Sequence, residues 1–295
     1  FVGCFFATIL GLFVGILRLS KNWLVAKLMS IYIEGFRNVP VLLWIVMIFA
    51  LLTEFTPAPK AFKGADPQAT MLLFDSIAVT NRGTYFPAPI FGEGSFWLLL
   101  SFILSVLIVI FIKQYANKQK KETGKSLPTF WISILIIILP TLGLYFLIGK
   151  PISLEYPYLK GFNFKDGIHL RNSFLALTLA LALYTSAFIA EIVRAGILAI
   201  SKGQTEAAAS LGLRPNKIMN LIILPQALRI IVPPLISNYL NLTKNSSLAI
   251  AVGYMDVRGT LGGITLNQTG RELESMLLLM GFYLCVSLLI SSVIN

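Results

Sequence analysis

The residues able to do chemistry in this sequence are few, and their spacing points to docking and solute handling rather than to catalysis. Glu206 is followed by three alanines and, at 212, by a glycine. One carboxylate beside a flat alanine face is a shape that seats in another protein's groove; it holds no nucleophile, base or metal ligand. Glu191 and Arg194 stand three apart, the spacing of an ion pair on one helix face. They serve either as a clamp for the segment that follows or as part of a gate, with the clamp favoured. Glu34 and Arg37 repeat that spacing and read as an interfacial ion pair that anchors a helix. Ser237, Asn238, Asn241, Lys244, Asn245 and Ser246 keep one side of an otherwise apolar run polar. An ammonium near the middle of such a run costs about 2.5–3.5 kcal/mol on insertion scales unless it faces protein or water. Lys244 therefore reads as a contributor to a solute path, the alternative being a structural lysine bonded to helix carbonyls. His169 is the only histidine and has no Cys, Asp or Glu cluster around it; it reads as a satisfied loop residue, and no metal site is expected. Cys4 and Cys285 lie in apolar segments and read as packing residues. Gly124-Lys125-Ser126 resembles the end of a phosphate-binding loop, but the glycine required five residues earlier is Gln119 and no strand precedes it, so no ATP site is expected in this chain.

The elements that must position these groups follow from local composition. The stretch Glu206 to Pro225 predicts two short helices lying outside a bilayer. Thr205 is placed to cap the first and set Glu206 against the positive end of its dipole. Gly212 supplies the left-handed residue that ends it. Pro215 suits the first turn of the second helix, where Ile218, Leu221 and Ile222 share one face until Pro225 stops it.

The remainder of the chain is membrane. Hydrophobic residues make up 56% and charged residues only 13%, with a mean hydropathy of +0.80. Seven apolar runs, near 1–17, 39–52, 96–112, 130–148, 173–190, 230–251 and 275–294, predict seven helices crossing a bilayer. Gly11 and Gly15 give the first of them the four-residue spacing that lets helix backbones approach closely. The net charge of +11 does not imply nucleic acid, since no basic stripe is interleaved with solvent-facing aromatics. It reflects the loops instead. Fourteen Lys and Arg fall in loops 18–38, 113–129 and 191–229, against nine in the longer set 53–95, 149–172 and 252–274. By the positive-inside bias the first set is cytoplasmic. Loop 53–95, rich in Pro, Gly and aromatics, reads as an outer cap that meets a partner, and the glycine-rich loop after the sixth run reads as mobile. Opening at Phe1, inside an apolar run, the sequence is expected to be a fragment lacking its N-terminal segment.

These residues resemble a known family. Glu206-Ala207-Ala208, Gly212, Ile222, Leu224 and Pro225 match, at every defined position, the "EAA" loop (EAA-x3-G-x9-I-x-L-P) of permease subunits in ATP-binding-cassette importers. YTSAFIAEIVRAG and the KGQ after it, FRNVP before the second run and LTKNSSLA in the sixth resemble its polar amino-acid branch. NRGTYFPAP at 81–89 and two additional spans resemble its general L-amino-acid permeases. Asn38-Val39 departs from a Gly-Thr pair common in relatives. The resemblance implies an all-α, polytopic helical membrane protein with the type I importer permease fold and two additional transmembrane helices. It implies a single permease domain over 1–295, a family-specific insertion over 54–172 and a cytoplasmic coupling loop over 191–229.

For Glu206, Ala207, Ala208, Gly212 and Pro225 the resemblance implies a role in coupling to a separate cytoplasmic ATPase subunit. It also implies a second permease subunit, related but different, a periplasmic amino-acid-binding protein, residence in the bacterial inner membrane among its lipids, and no cofactor or catalytic residue in this chain. The alternative is an ion-coupled secondary transporter that works without an ATPase. Such proteins commonly show inverted repeats and interrupted helices with buried acids, whereas this chain has no clear repeat and no acid in the apolar part of any run.

Overall fold

Small residues decide where the helices of this protein meet. In a computed structural model, which describes residues 1–63, 68–123 and 128–294, the chain falls into two compact units, residues 1–58, 80–83 and 170–295 in one and 59–79 and 84–169 in the other.

The first unit is built around α6 (Asn172–Leu198), whose Ala176, Ala180, Ser186, Ala187, Ala190 and Gly196 are all buried. Short side chains at these positions let neighbouring backbones come in close, which is how helices gain dispersion contact where the hydrophobic effect between them is weak. Helix α1 (Val2–Arg18) lies along it. A Cβ on Gly11 would fall 2.6 Å from Cβ of Ile189, and one on Gly15 would fall 2.8 Å from the carbonyl oxygen of Ala190. The glycine spacing read from the sequence is thus a contact surface. Helices α2 (Trp23–Asn38) and α3 (Val41–Glu54) also pack on α6, with Asn22 capping α2 through Leu24 and Val25 and Pro40 separating the two. The Tyr32 hydroxyl donates to the carbonyl of Leu183 at 3.1 Å and lies 2.7 Å from the hydroxyl of Ser186. At the start of α6, buried Asn172 donates to the carbonyls of Leu52 and Thr80. This unit also holds two further long helices, α9 (Leu224–Asn245) and α10 (Glu272–Ile294).

The second unit contains an antiparallel helix pair, α4 (Ser95–Thr123) and α5 (Thr129–Leu147). Around them are short strands: β1 (Ala78–Thr80), β2 (Gly83–Phe86), β3 (Ala88–Phe91), β4 (Ile152–Glu155), β5 (Tyr158–Lys160), β6 (Asn163–Lys165) and β7 (Ile168–Leu170). They pair in the orders β1-β2-β7, β3-β4 and β5-β6, with Ala88 opposite Glu155 and Phe91 opposite Ile152. Tyr85 and Phe164 are buried here, and His169 stacks on Tyr85 at 4.3 Å. The two segments read from the sequence as outer loops therefore pair with each other. Strands as short as β3 and β4 carry too little periodicity to be seen until a partner some sixty residues away supplies their hydrogen bonds.

Among the described residues, six helices are long and apolar enough to cross a membrane, over 41–62, 95–119, 129–147, 172–198, 215–252 and 272–292. The run at 1–17 forms a shorter apolar helix, α1. The sixth span differs from its expected 230–251, because helical backbone begins already at Pro215. Gly124-Lys125-Ser126 lies outside the described residues.

Candidate functional site: the coupling segment and the helix it enters

Three residues after α6, the chain turns into α7 (Lys202–Ser210). Its N-cap is Ser201 and no side chain caps it, so Thr205 is an interior residue and not the expected cap. Glu206 accordingly sits in the second turn. The tight exit from α6 sets the start of α7 and overrides the capping preference of a residue four positions on. Glu206 and Ala207 are exposed, while Ala208 is only 2% exposed. One of the alanines thus packs inward, and the free face is that of Glu206 and Ala207 with Gly203 and Ser210.

Gly212 does what its type requires. Its φ is +76°, and the amides of Gly212 and Leu213 donate to the carbonyls of Ala209 (2.9 Å) and Ala208 (3.3 Å). This pair of bonds is a Schellman ending, which satisfies carbonyls that a frayed helix end would leave open. Pro215 then begins α8 (Pro215–Ile218).

Pro225 does not stop the second helix. Between α8 and α9 the backbone widens into a π-turn over Met219–Ile223, and α9 continues through Pro225 and on through Pro233 and Pro234. A proline lacks the amide that would bond back along the helix, and its ring crowds the carbonyl there. The wider π-turn relieves that crowding just ahead of Pro225. It also shifts the helical phase, so Ile218 is buried while Leu221 is 65% exposed, and the three apolar residues expected on one face are divided. Gln226 at the start of α9 donates to Gln204 of α7 at 3.4 Å. From Pro215 to Val252 the segment is one helical run of 38 residues.

On α9, Ser237, Asn241 and Lys244 are exposed along one stripe, and Asn238 and Asn245 are half-buried beside it. Asn238 returns its amide to the carbonyl of Pro234 at 3.0 Å. Lys244 occupies the last turn of α9, closer to the C-terminal end of the run than to its middle, which corrects the mid-run position. There a cation also meets the negative end of the helix dipole. The glycine-rich loop that follows is largely helical. Asp256 accepts from the amide of Gly259 at 2.9 Å, and Arg258 donates to the carbonyl of Ser247 at 3.1 Å.

Glu191 and Arg194 pair as their spacing indicated, at 3.1 Å. A third member was not seen in the sequence: Arg18, at the end of α1, bonds the other carboxylate oxygen of Glu191. The two partners are 173 residues apart, and nothing local in either segment announces the other. The Glu34–Arg37 pair does not form. Glu34 accepts from Asn38 at 3.2 Å, while Arg37 lies over the Phe188 ring at 5.3 Å, where a weakly hydrated guanidinium gains from the ring quadrupole.

Residues 122–295 match the family described as "Binding-protein-dependent transport system inner membrane component". The chain is 53% identical, over 95% of its own length and 71% of the relative's, to the glutamate/glutamine/aspartate/asparagine transport system permease protein BztB of Rhodobacter capsulatus. It is 42% identical, over 99% and 71%, to the general L-amino acid transport system permease protein AapQ of Rhizobium johnstonii. A third relative, at 44% over 98% and 72%, is the putative amino-acid ABC transporter permease protein YhdX of Escherichia coli. Among solved structures, "Crystal structure of an amino acid ABC transporter with histidines" superposes with a TM-score of 0.54 over 100% of this chain and 85% of that one, at 19% identity, a likeness of fold. By the extent of the family match and the identity to relatives over nearly all of this chain, the chain belongs to the inner membrane components of binding-protein-dependent transport systems, the permease subunits of ATP-binding-cassette importers.

Proposed function

We propose that this permease carries L-amino acids across the inner membrane, and that it takes up the motion of a separate ATPase through residues 206–225. Importers of this family operate with an ATPase and a solute-binding protein. Here the ATPase face is Glu206 and Ala207, held in place by Ala208, Gly212 and the π-turn ahead of Pro225. The observation that carries this reading is continuity. The exposed acid and alanine end in a Schellman turn, and from Pro215 the backbone runs without a break into the helix that bears Ser237, Asn238, Asn241, Lys244 and Asn245. A push on α7 is passed on to that polar stripe, the candidate solute path. Glu191 and Arg194 clamp the end of α6 from which the coupling segment leaves. Residues 191–229 face the cytoplasm, the whole chain is one permease domain, and residues 54–172 are an insertion particular to this branch.

The identity to amino-acid permeases over nearly the full chain supports the substrate class. A related second permease covers the exposed side of α9, and an amino-acid-binding protein delivers the solute at the outer face. Glu206→Lys is the test. Uptake should fall at least about tenfold, corresponding to about 1.4 kcal/mol lost at the docking face, with the protein still in the membrane and less ATPase co-purifying. Normal uptake by this variant overturns the docking role.

A further inference from the structure

We infer that Arg18, Glu191 and Arg194 form an interhelical clamp that makes α1 part of the body driven by the coupling segment, with Arg18 as its positioning residue. This rests on the coupling role proposed for residues 206–225. One carboxylate is shared by two guanidiniums, Arg18 on one oxygen and Arg194 on the other. The side chains are 15% (Arg18), 28% (Glu191) and 35% (Arg194) exposed, so the cluster is drawn out of water further than an ordinary surface pair. Exposed pairs contribute about 0–1 kcal/mol because solvent screens them and side-chain entropy opposes them. A half-buried carboxylate with both oxygens engaged is costly to leave unpaired, and Arg194 alone cannot tie it to another helix.

The surroundings make the clamp mechanical. Two turns and one turn back from Arg18, Gly11 and Gly15 bring α1 against α6 so closely that a single added carbon would overlap Ile189 or the Ala190 carbonyl. Interlocked backbones of this kind resist sliding and rotation. Past Glu191, Gly196 meets Ile231 of α9, with 2.4 Å left for a Cβ, and six residues later α7 begins. Arg18 thus closes the end of the α1–α6 contact nearest the coupling segment. Without it, the last turn of α1 is held to α6 by no ion pair among the described residues.

The experiment is transport per ATP hydrolysed by the complete importer, reconstituted with its ATPase and binding protein. Arg18→Met and Glu191→Met should each lower that ratio about tenfold, within the range of site-to-site coupling, while hydrolysis continues. The double variant should be no worse than either single one, because both remove the same contact. Arg18→Glu combined with Glu191→Arg keeps one carboxylate between two guanidiniums and should recover most of the ratio. An unchanged ratio in the single variants, losses that multiply in the double variant, or a swap no better than its components overturns the clamp. Should Arg18→Met fail to assemble, the swap decides alone: recovered assembly and ratio support the clamp, and continued failure overturns it. Glu206→Lys measured alongside separates the two ideas. Lost uptake there with a normal ratio in Arg18→Met overturns the clamp only; normal uptake in Glu206→Lys overturns the coupling role beneath it.

Discussion

At the scale of single residues, what this protein leaves out matters as much as what it places. Gly11 is conspicuous because any side chain there meets Cβ of Ile189 at 2.6 Å and the carbonyl oxygen of Ser186 at 2.9 Å. The backbones must part to admit one, and overpacking of this sort costs about 1–3 kcal/mol. Gly11→Leu should therefore lower the thermal midpoint of the detergent-solubilised protein clearly. Gly35, whose would-be Cβ meets nothing within 4 Å, provides the contrast. Gly35→Ala should leave the midpoint unchanged or raise it, since alanine is the better helix former. Equal losses in the two variants would mean that the α1–α6 contact is not where stability resides. The Gly-x-x-x-Gly spacing made the first of these sites legible, but spacing alone could not name Ile189 and Ala190 as the surface they meet.

The helix is the scale at which the proposed coupling segment and the candidate solute path meet. Pro225 signals a stop when read by itself, yet the π-turn at Met219–Ile223 lets α9 pass through it. The exposed stripe of Ser237, Asn241 and Lys244 then lies on the helical run that begins at Pro215, just beyond the turn at Gly212 that ends the proposed docking helix. A cation exposed on an apolar helix within a bilayer is unfavourable unless water, protein or an anionic group of the solute meets it. Lys244→Met should reduce amino-acid uptake severalfold, measured in cells, while the ATPase still co-purifies. Wild-type uptake would identify Lys244 as a structural cation at the end of its helix. The polar stripe itself was readable from three- and four-residue spacing. Its link to Pro215 was not, because proline statistics describe α-helical hydrogen bonding and a π-turn changes the ring that proline would break.

Taken as a whole molecule, the chain carries large apolar side chains on its surface, among them Phe5, Phe6, Phe13, Leu277, Leu278 and Leu284. In water such a surface would aggregate; for an inner-membrane protein it is what lipid or a neighbouring subunit covers. In the proposed scheme energy reaches this assembly from another chain, and reconstitution can show it. Proteoliposomes holding the permeases and binding protein should accumulate amino acids only when the ATPase and ATP are supplied, and leaving out the ATPase should reduce uptake to background. Uptake driven by an ion gradient without the ATPase would overturn the coupling scheme.

Some of this protein was written plainly in its residues. Hydropathy located its apolar helices, since a bilayer core imposes a minimum length on any run that crosses it. The left-handed turn at Gly212, the first-turn position of Pro215 and the Glu191–Arg194 pair were equally accessible, because each depends on neighbours within a few positions. The tertiary structure alone decided the rest. Arg18 reaches Glu191 across 173 residues, and β3 finds β4 across two helices. Arg37 turns from Glu34 to the face of Phe188, and Ser201 takes the place of Thr205 at the start of α7. In each case the local preference was genuine but worth about a kilocalorie or less, and packing against a distant segment outweighed it.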